Sequence, residues 1–235
     1  VPEMGATQTN PVSDQSLTTQ SNQPRKIVYG EALIGGQIVG YGMPTIGGKE
    51  YHVMVVHLVG HPCDSVELYE IEGKTAAELG SKLSISYHTG SQTTANSTAL
   101  SYIDGWTSAH VGKGQTYAVV KVENDPNLFS GSINEMKFKV RGQRLYDPRK
   151  DDSAGGSGLH RIYDESTWEW SDNPMLCVYH ALMTYGAKPV PQRRIPWDFV
   201  AVCANYCEEQ AAYTDTNGNP ATGQRFGCNG VLNNS

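Results

Sequence analysis

Along residues 134–142, NEMKFKVRG, the apolar Met136, Phe138 and Val140 alternate with Lys137, Lys139 and Arg141. That period of two predicts a half-buried strand with one apolar face and one wet, basic face. Residues 50–61 (EYHVMVVHLVGH), 65–71 (SVELYEI), 82–90 (KLSISYHTG) and 116–124 (TYAVVKVEN) carry the Val, Ile and Tyr enrichment of further strands. The run 26–42, KIVYGEALIGGQIVGYG, is β-branched and apolar, and its glycines at 30, 35, 36, 40 and 42 mark bends or close backbone approach between paired strands. Beyond the loop 150–158 the period changes. In SDNPMLCVYHALMTYG, Asn173 is a cap, Pro174 occupies the first helical position, and Met175, Val178, Tyr179 and Leu182 follow at helical spacing towards Gly186. A second helix is predicted after Pro196, with Phe199, Val202, Cys203, Tyr206 and Cys207 at i, i+3, i+4, i+7 and i+8 forming one apolar stripe expected to pack into a core. Asn217-Gly218 then signals a hairpin.

These elements predict a β-rich α+β fold: a sheet or barrel-like body, two helices and a C-terminal hairpin. The expected division is a Ser/Thr/Gln/Pro-rich arm or linker over 1–24, a β-rich body over 25–149, a loop of variable character over 150–169, and a helical segment with hairpin over 170–235. A hydrophobic content of 38% supports a sizeable core, while 25 glycines, 13 tyrosines and only 18% charged residues favour strands and turns. The formal net charge of −6 excludes a general nucleic-acid binder; the longest basic pair is Arg193-Arg194. No apolar window of about 18 residues is present, so no membrane insertion is expected. Five cysteines, an odd number spread through the chain, are expected as reduced thiols. The chain starts at Val1 and stops at CNGVLNNS, which reads as a piece of a longer polypeptide.

Candidate chemistry is sparse. His57, His61, Cys63 and Asp64 in HLVGHPCD are of metal-binding type and define an alternative metal site, but Gly60 and Pro62 impose a turn, so turn and core roles are expected. Cys203 and Cys207, one helical turn apart on the apolar stripe, are expected to pack in a core; Cys228 is a possible partner for one of them across the hairpin. EGKT lacks the upstream glycine of a phosphate loop, having Leu68 there, and Lys74-Thr75 instead begins a helix or turn. DTNGN lacks the distal glutamate of a calcium loop, GGSG lacks the frame of a nucleophile elbow, and Asp151-Asp152 and Glu208-Glu209 read as solvated neighbours. No catalytic set and no cofactor site emerges. Asp147-Pro148 ends the last strand, and Arg141, Arg144 and Arg149 are candidate contacts to carboxylates of a neighbouring subunit.

The segments YGEALIGGQIV, LVGHPCDSV, DGWTSAH, VRGQRLYDPR, WSDNPMLCVYHAL, AVCANYCEE and CNGVL, in this order over residues 27–232, resemble the hub region of phage tail tip proteins of the lambda J type. The resemblance implies a non-enzymatic virion component at the tail tip, made in the host bacterial cytoplasm. It implies a homotrimer in the full-length protein that joins the tail tube to the host-recognising tip, contacts neighbouring tail tip and tube proteins, and surrounds a channel through which DNA is ejected without specific binding. KDDSAGGSGLHRIYDESTWEW and KPVPQRRIPW depart from the pattern and are candidates for partner contact. Two other readings stand beside it: a metal-dependent hydrolase of cell-wall or surface polymer built on His57, His61 and Asp64, and a glycan-binding adhesion module using Trp106, Trp168, Trp170 and Trp197.

Overall fold

The computed structural model describes residues 17–19, 24–129, 131–185, 188–215 and 217–234, so most of the expected arm lies outside the described residues. The chain divides into two compact units, 17–143 with 230–234, and 144–229.

In the first unit, β1 (Arg25–Tyr29), β2 (Glu31–Ile34), β3 (Gln37–Gly42), β4 (Thr45–Ile46), β5 (Lys49–Val59) and β6 (Ser65–Ile71) precede the single-turn helix α1 (Ala76–Leu79). Then come β7 (Leu83–Thr89), α2 (Ser97–Tyr102), β8 (Thr116–Glu123) and β9 (Met136–Arg141). One antiparallel sheet has the order β3-β5-β8-β7, with β4 pairing β5; a second has the order β2-β9-β6. Along β5, Met54, Val56 and Leu58 share a core with Ile34, Phe138 and Val140 of the second sheet, whereas Val53 and Val55 face Ala99 and Ile103 of the α2 segment. β5 is therefore buried on both faces, which explains its unbroken apolar run.

Of the expected sheet or barrel-like body, the sheet form is observed: among the described residues no sheet closes on itself. The first sheet instead covers one face with the second sheet and the other with α2, so it gains burial by layering. The short helices α1 and α2 add to the two predicted ones. Their signal is capping rather than periodicity. Thr75 and Glu78 form a reciprocal capping box, and Asn96 accepts from the amides of Thr98 and Ala99. Within the expected arm, Thr18 exchanges backbone hydrogen bonds with Gly36 and Ile38, and Leu17 packs against the core.

β9 behaves as its alternation predicts, with Met136, Phe138 and Val140 buried. Its basic face is not left to solvent alone. Lys137 pairs with Glu70 at 2.7 Å, Lys139 with Glu31 at 3.2 Å, and Arg141 with Glu31 at 3.3 Å, because β2 and β6 flank β9 and supply cross-strand carboxylates.

Just past β9, the Gly142 amide bonds to Gly30 O and the Gln143 amide to Val28 O. A Cβ on Gly142 would lie 2.0 Å from Val28 O. Gly142→Ala must push two backbones apart and is expected to lower stability by about 2 kcal/mol, typical of overpacking. Urea denaturation of the two proteins measures this, and a difference within error would show that the close approach is dispensable.

The second unit begins with β10 (Arg144–Leu145), which pairs with β11 (Glu169–Trp170). It continues through α3 (Pro174–Thr184), α4 (Trp197–Glu208) and the hairpin β12 (Gln210–Thr214) with β13 (Pro220–Gln224). Asn173 caps α3 by accepting from Met175 N and Leu176 N, with Pro174 next, as the sequence predicts. The hairpin loop is organised by Asp215, whose Oδ1 accepts from Asn217 N and Asn219 N, with Gly218 at φ +84°. The last strand, β14 (Gly230–Asn234), leaves this unit and pairs antiparallel with β1.

Candidate interaction surface

The segment Tyr146-Asp-Pro-Arg149 organises the second unit. Asp147 caps a short 3-10 turn over Pro148–Lys150, accepting from Arg149 N at 2.9 Å. Arg149 then folds back so that its Nε and Nη2 meet both Asp147 oxygens, while Nη1 and Nη2 form a fork with both Glu208 oxygens at 2.8 Å. Nη1 also donates to Asn205 Oδ1 at 2.9 Å, and Asn173 Nδ2 donates to Glu208 Oε1 and to Ala204 O. One guanidinium thus ties the 3-10 turn to α4, and the cap of α3 joins the same carboxylate. Hydrogen bonds from Arg149 hold the Glu208 pKa below the ordinary carboxylate range, against the effect of burial.

The loop 150–169, loose in composition, is closely tied. Asp151 is buried and accepts from Tyr146 Oη, Ser153 N and Oγ, and Arg161 Nη1. Burial raises its pKa, but the bonds from Ser153 and Tyr146 outweigh burial and the net direction is downward. Trp168 Nε1 donates to Arg161 O at 2.8 Å. A Cβ on Gly156 would stand 2.4 Å from the carbonyls of Pro148 and Arg149, so the glycine-rich sequence reflects backbone packed on backbone.

Most of the apolar side chains predicted at helical spacing on the two helices are not buried in a core. On α4 the buried residues are Val200 and Ala204, while Phe199 is 58% exposed, Val202 67% and Tyr206 51%. Cys203 and Cys207, on the same stripe, are only half-buried, which corrects the expectation of core packing. On α3, Leu176, Cys177, Tyr179 and His180 are buried, but Val178 and Leu182 are exposed. The stripe continues beyond the helix. Phe226 approaches Tyr206 with ring centroids 6.1 Å apart, and the Arg225 guanidinium lies 4.7 Å from the Tyr206 ring centre. Large aligned apolar side chains open to solvent make this face a candidate interaction surface.

Of the three arginines read as subunit contacts, Arg149 is engaged within the chain as described, Arg141 pairs with Glu31, and Arg144 lies on the exposed side of β10, in register with Trp170. The metal-type cluster is not assembled: among the described residues no group of three or more His, Cys, Asp or Glu side chains could hold an ion. His61 Nε2 accepts from Val28 N at 3.0 Å and Nδ1 donates to Pro62 O at 2.7 Å, so both ring nitrogens serve the backbone. Burial lowers the pKa of His57 and of His61, and pushes the Cys63 thiol up to about 12. The Asp64 amide donates to the carbonyls of Arg141 and Gly142 beside the β6–β9 ladder.

Glu208 was readable in principle. A carboxylate in the last turn of a helix opposes the helix dipole, so a cation brought beside it is stabilising. No helix among the described residues is long and apolar enough to cross a membrane.

The fold and surface define a β-rich α+β protein with an apolar helix face open to solvent. No family model and no curated protein matches the chain. Among solved structures it is similar to a chain of the virion of a native gene transfer agent (GTA) particle, with a TM-score of 0.46 and 13% identity, over 60% of this chain and 33% of that one.

Proposed function

We propose that this chain is a virion structural component, and within the virion a hub element of a phage or prophage tail tip that links the tail tube to the host-recognising tip around the DNA exit channel. The observation that carries an assembling role is the α4 stripe of Phe199, Val202 and Tyr206, exposed at i, i+3 and i+7 and extended by Phe226. Such a face suits burial against a second copy of the chain in a symmetric trimer. The tail tip assignment itself is supported by the ordered series of segments from YGEALIGGQIV to CNGVL, of which VRGQRLYDPR, WSDNP and AVCANYCEE supply Arg149, Asn173 and Glu208 of the network that positions α4. A hydrolase reading finds less support, since the nitrogens of His61 serve backbone groups.

Immunogold electron microscopy of particles from the source strain, with antibody raised against this chain, tests the proposal. Label confined to the distal end of the tail is the expected result. Particles that never label, from cells that contain the protein, would overturn it.

A further inference from the structure

The structure assigns Cys177 and Cys228 as a disulfide-forming pair, a redox lock that clamps the segment between β13 and β14 onto the first turns of α3. All five cysteines are free thiols here, but these two side chains lie close enough to perturb each other's ionisation. The approach is built by the backbone on both sides. Cys228 N donates to Asp172 O at 2.7 Å, one residue before the α3 cap, and Cys177 N donates to Asn173 O at 3.0 Å. Upstream, Phe226 N bonds to Cys207 O, Arg225 N to Glu209 O, and the Gln224 side-chain Nε2 to Asp172 Oδ1 and Phe226 O. These contacts hold residues 224–228 against the helices before any covalent bond forms, so little chain entropy remains to be lost on closure.

The two sulfurs have different roles. Cys177 is 3% exposed, whereas Cys228 is half-buried and accessible. Accepting from the Cys177 thiol lowers the Cys228 pKa and so favours its thiolate, and the same pairing pushes Cys177 up. A small-molecule disulfide of the glutathione class is the oxidant. The Cys228 thiolate attacks one of its sulfurs, and the first small thiolate leaves and takes a proton from solvent. Cys177 then releases its proton to solvent and attacks Cys228 Sγ, expelling the second small thiolate, which is protonated in turn. Two protein thiols are oxidised and one small disulfide is reduced to two thiols. The lock stays open in a reducing cytoplasm and closes outside it. Neither the pairing nor its chemistry depends on the tail tip reading.

The test incubates the purified protein with glutathione disulfide, blocks remaining thiols, and maps peptides by mass without reduction. The expected result is a single internal cross-link between the Cys177 and Cys228 peptides, with Cys63, Cys203 and Cys207 still blocked as thiols. Closing a loop of this length raises the melting temperature by on the order of 10 °C. Cys177→Ser should stop the reaction at a glutathione adduct on Cys228, while Cys228→Ser, at an accessible site that tolerates the change, should leave Cys177 unmodified. Cross-linking through Cys203 or Cys207, disulfide-linked dimers through Cys228, or an unchanged thiol count in the folded protein would each overturn the proposal.

Discussion

Arg149→Ala is expected to lower stability by about 3 kcal/mol, at the lower end of what breaking a buried ion pair costs. The substitution removes the guanidinium that bridges Asp147, whose side chain is 5% exposed, and Glu208, which is 41% exposed. Asp147 would be left buried with its main charged partner gone, while Glu208 can still recover some hydration, which is why the loss stays below the upper end of the range. Arg149→Lys should recover only part of it, since one ammonium cannot make both two-oxygen contacts. Urea denaturation at neutral pH measures the difference. A loss under about 0.5 kcal/mol would make this an ordinary surface pair and remove it as the organiser of the second unit.

The same network sets a pH dependence. The Glu208 pKa is depressed in the folded protein, chiefly by its hydrogen bonds from Arg149. Its contribution is therefore fully present above the ordinary glutamate value of about 4.3 and is lost as pH falls through the lower folded value. Arg149→Ala should accordingly flatten the acid limb of the stability curve.

Val202→Glu should abolish assembly while leaving the fold intact. Val202 is 67% exposed in the middle of the α4 stripe, so the isolated protein should change by no more than about 0.5 kcal/mol. At the centre of an apolar interface the same glutamate would be desolvated without a partner, a penalty of several kcal/mol and on the order of a thousandfold in association. Introduced into the protein in the source strain, the substitution should, on the tail tip proposal, yield particles whose tails carry no label for this chain, although the protein accumulates. Tails that form and label normally would show that the stripe is not the interface, and Phe199→Ser would then be expected to be equally silent.

Much of the first unit was legible because strand signals are local. The alternation of Met136, Phe138 and Val140 and the apolar run of β5 need only the period of two and the double burial that a layered core imposes. The Asn173-Pro174 start of α3 was equally plain, since a cap depends on neighbours two and three residues away. Periodicity left open whether the body was a sheet or barrel-like, because strand order and the cover of α2 on one face are long-range outcomes that it does not encode.

For the candidate surface the boundary runs elsewhere. The amino-acid sequence by itself determined that Phe199, Val202 and Tyr206 share one side of a helix, because that follows from 3.6 residues per turn. It did not determine whether that side meets the protein's own core or a partner. Only the tertiary structure decided that it does not meet the core of its own unit, by turning Val200 and Ala204 inward. Arg149 and Glu208, like Cys177 and Cys228, are about fifty or more positions apart in the chain, beyond any local spacing rule. Their partnership arises from the packing of α3, α4 and the 3-10 turn, which brings charges and thiols together after the chain has folded.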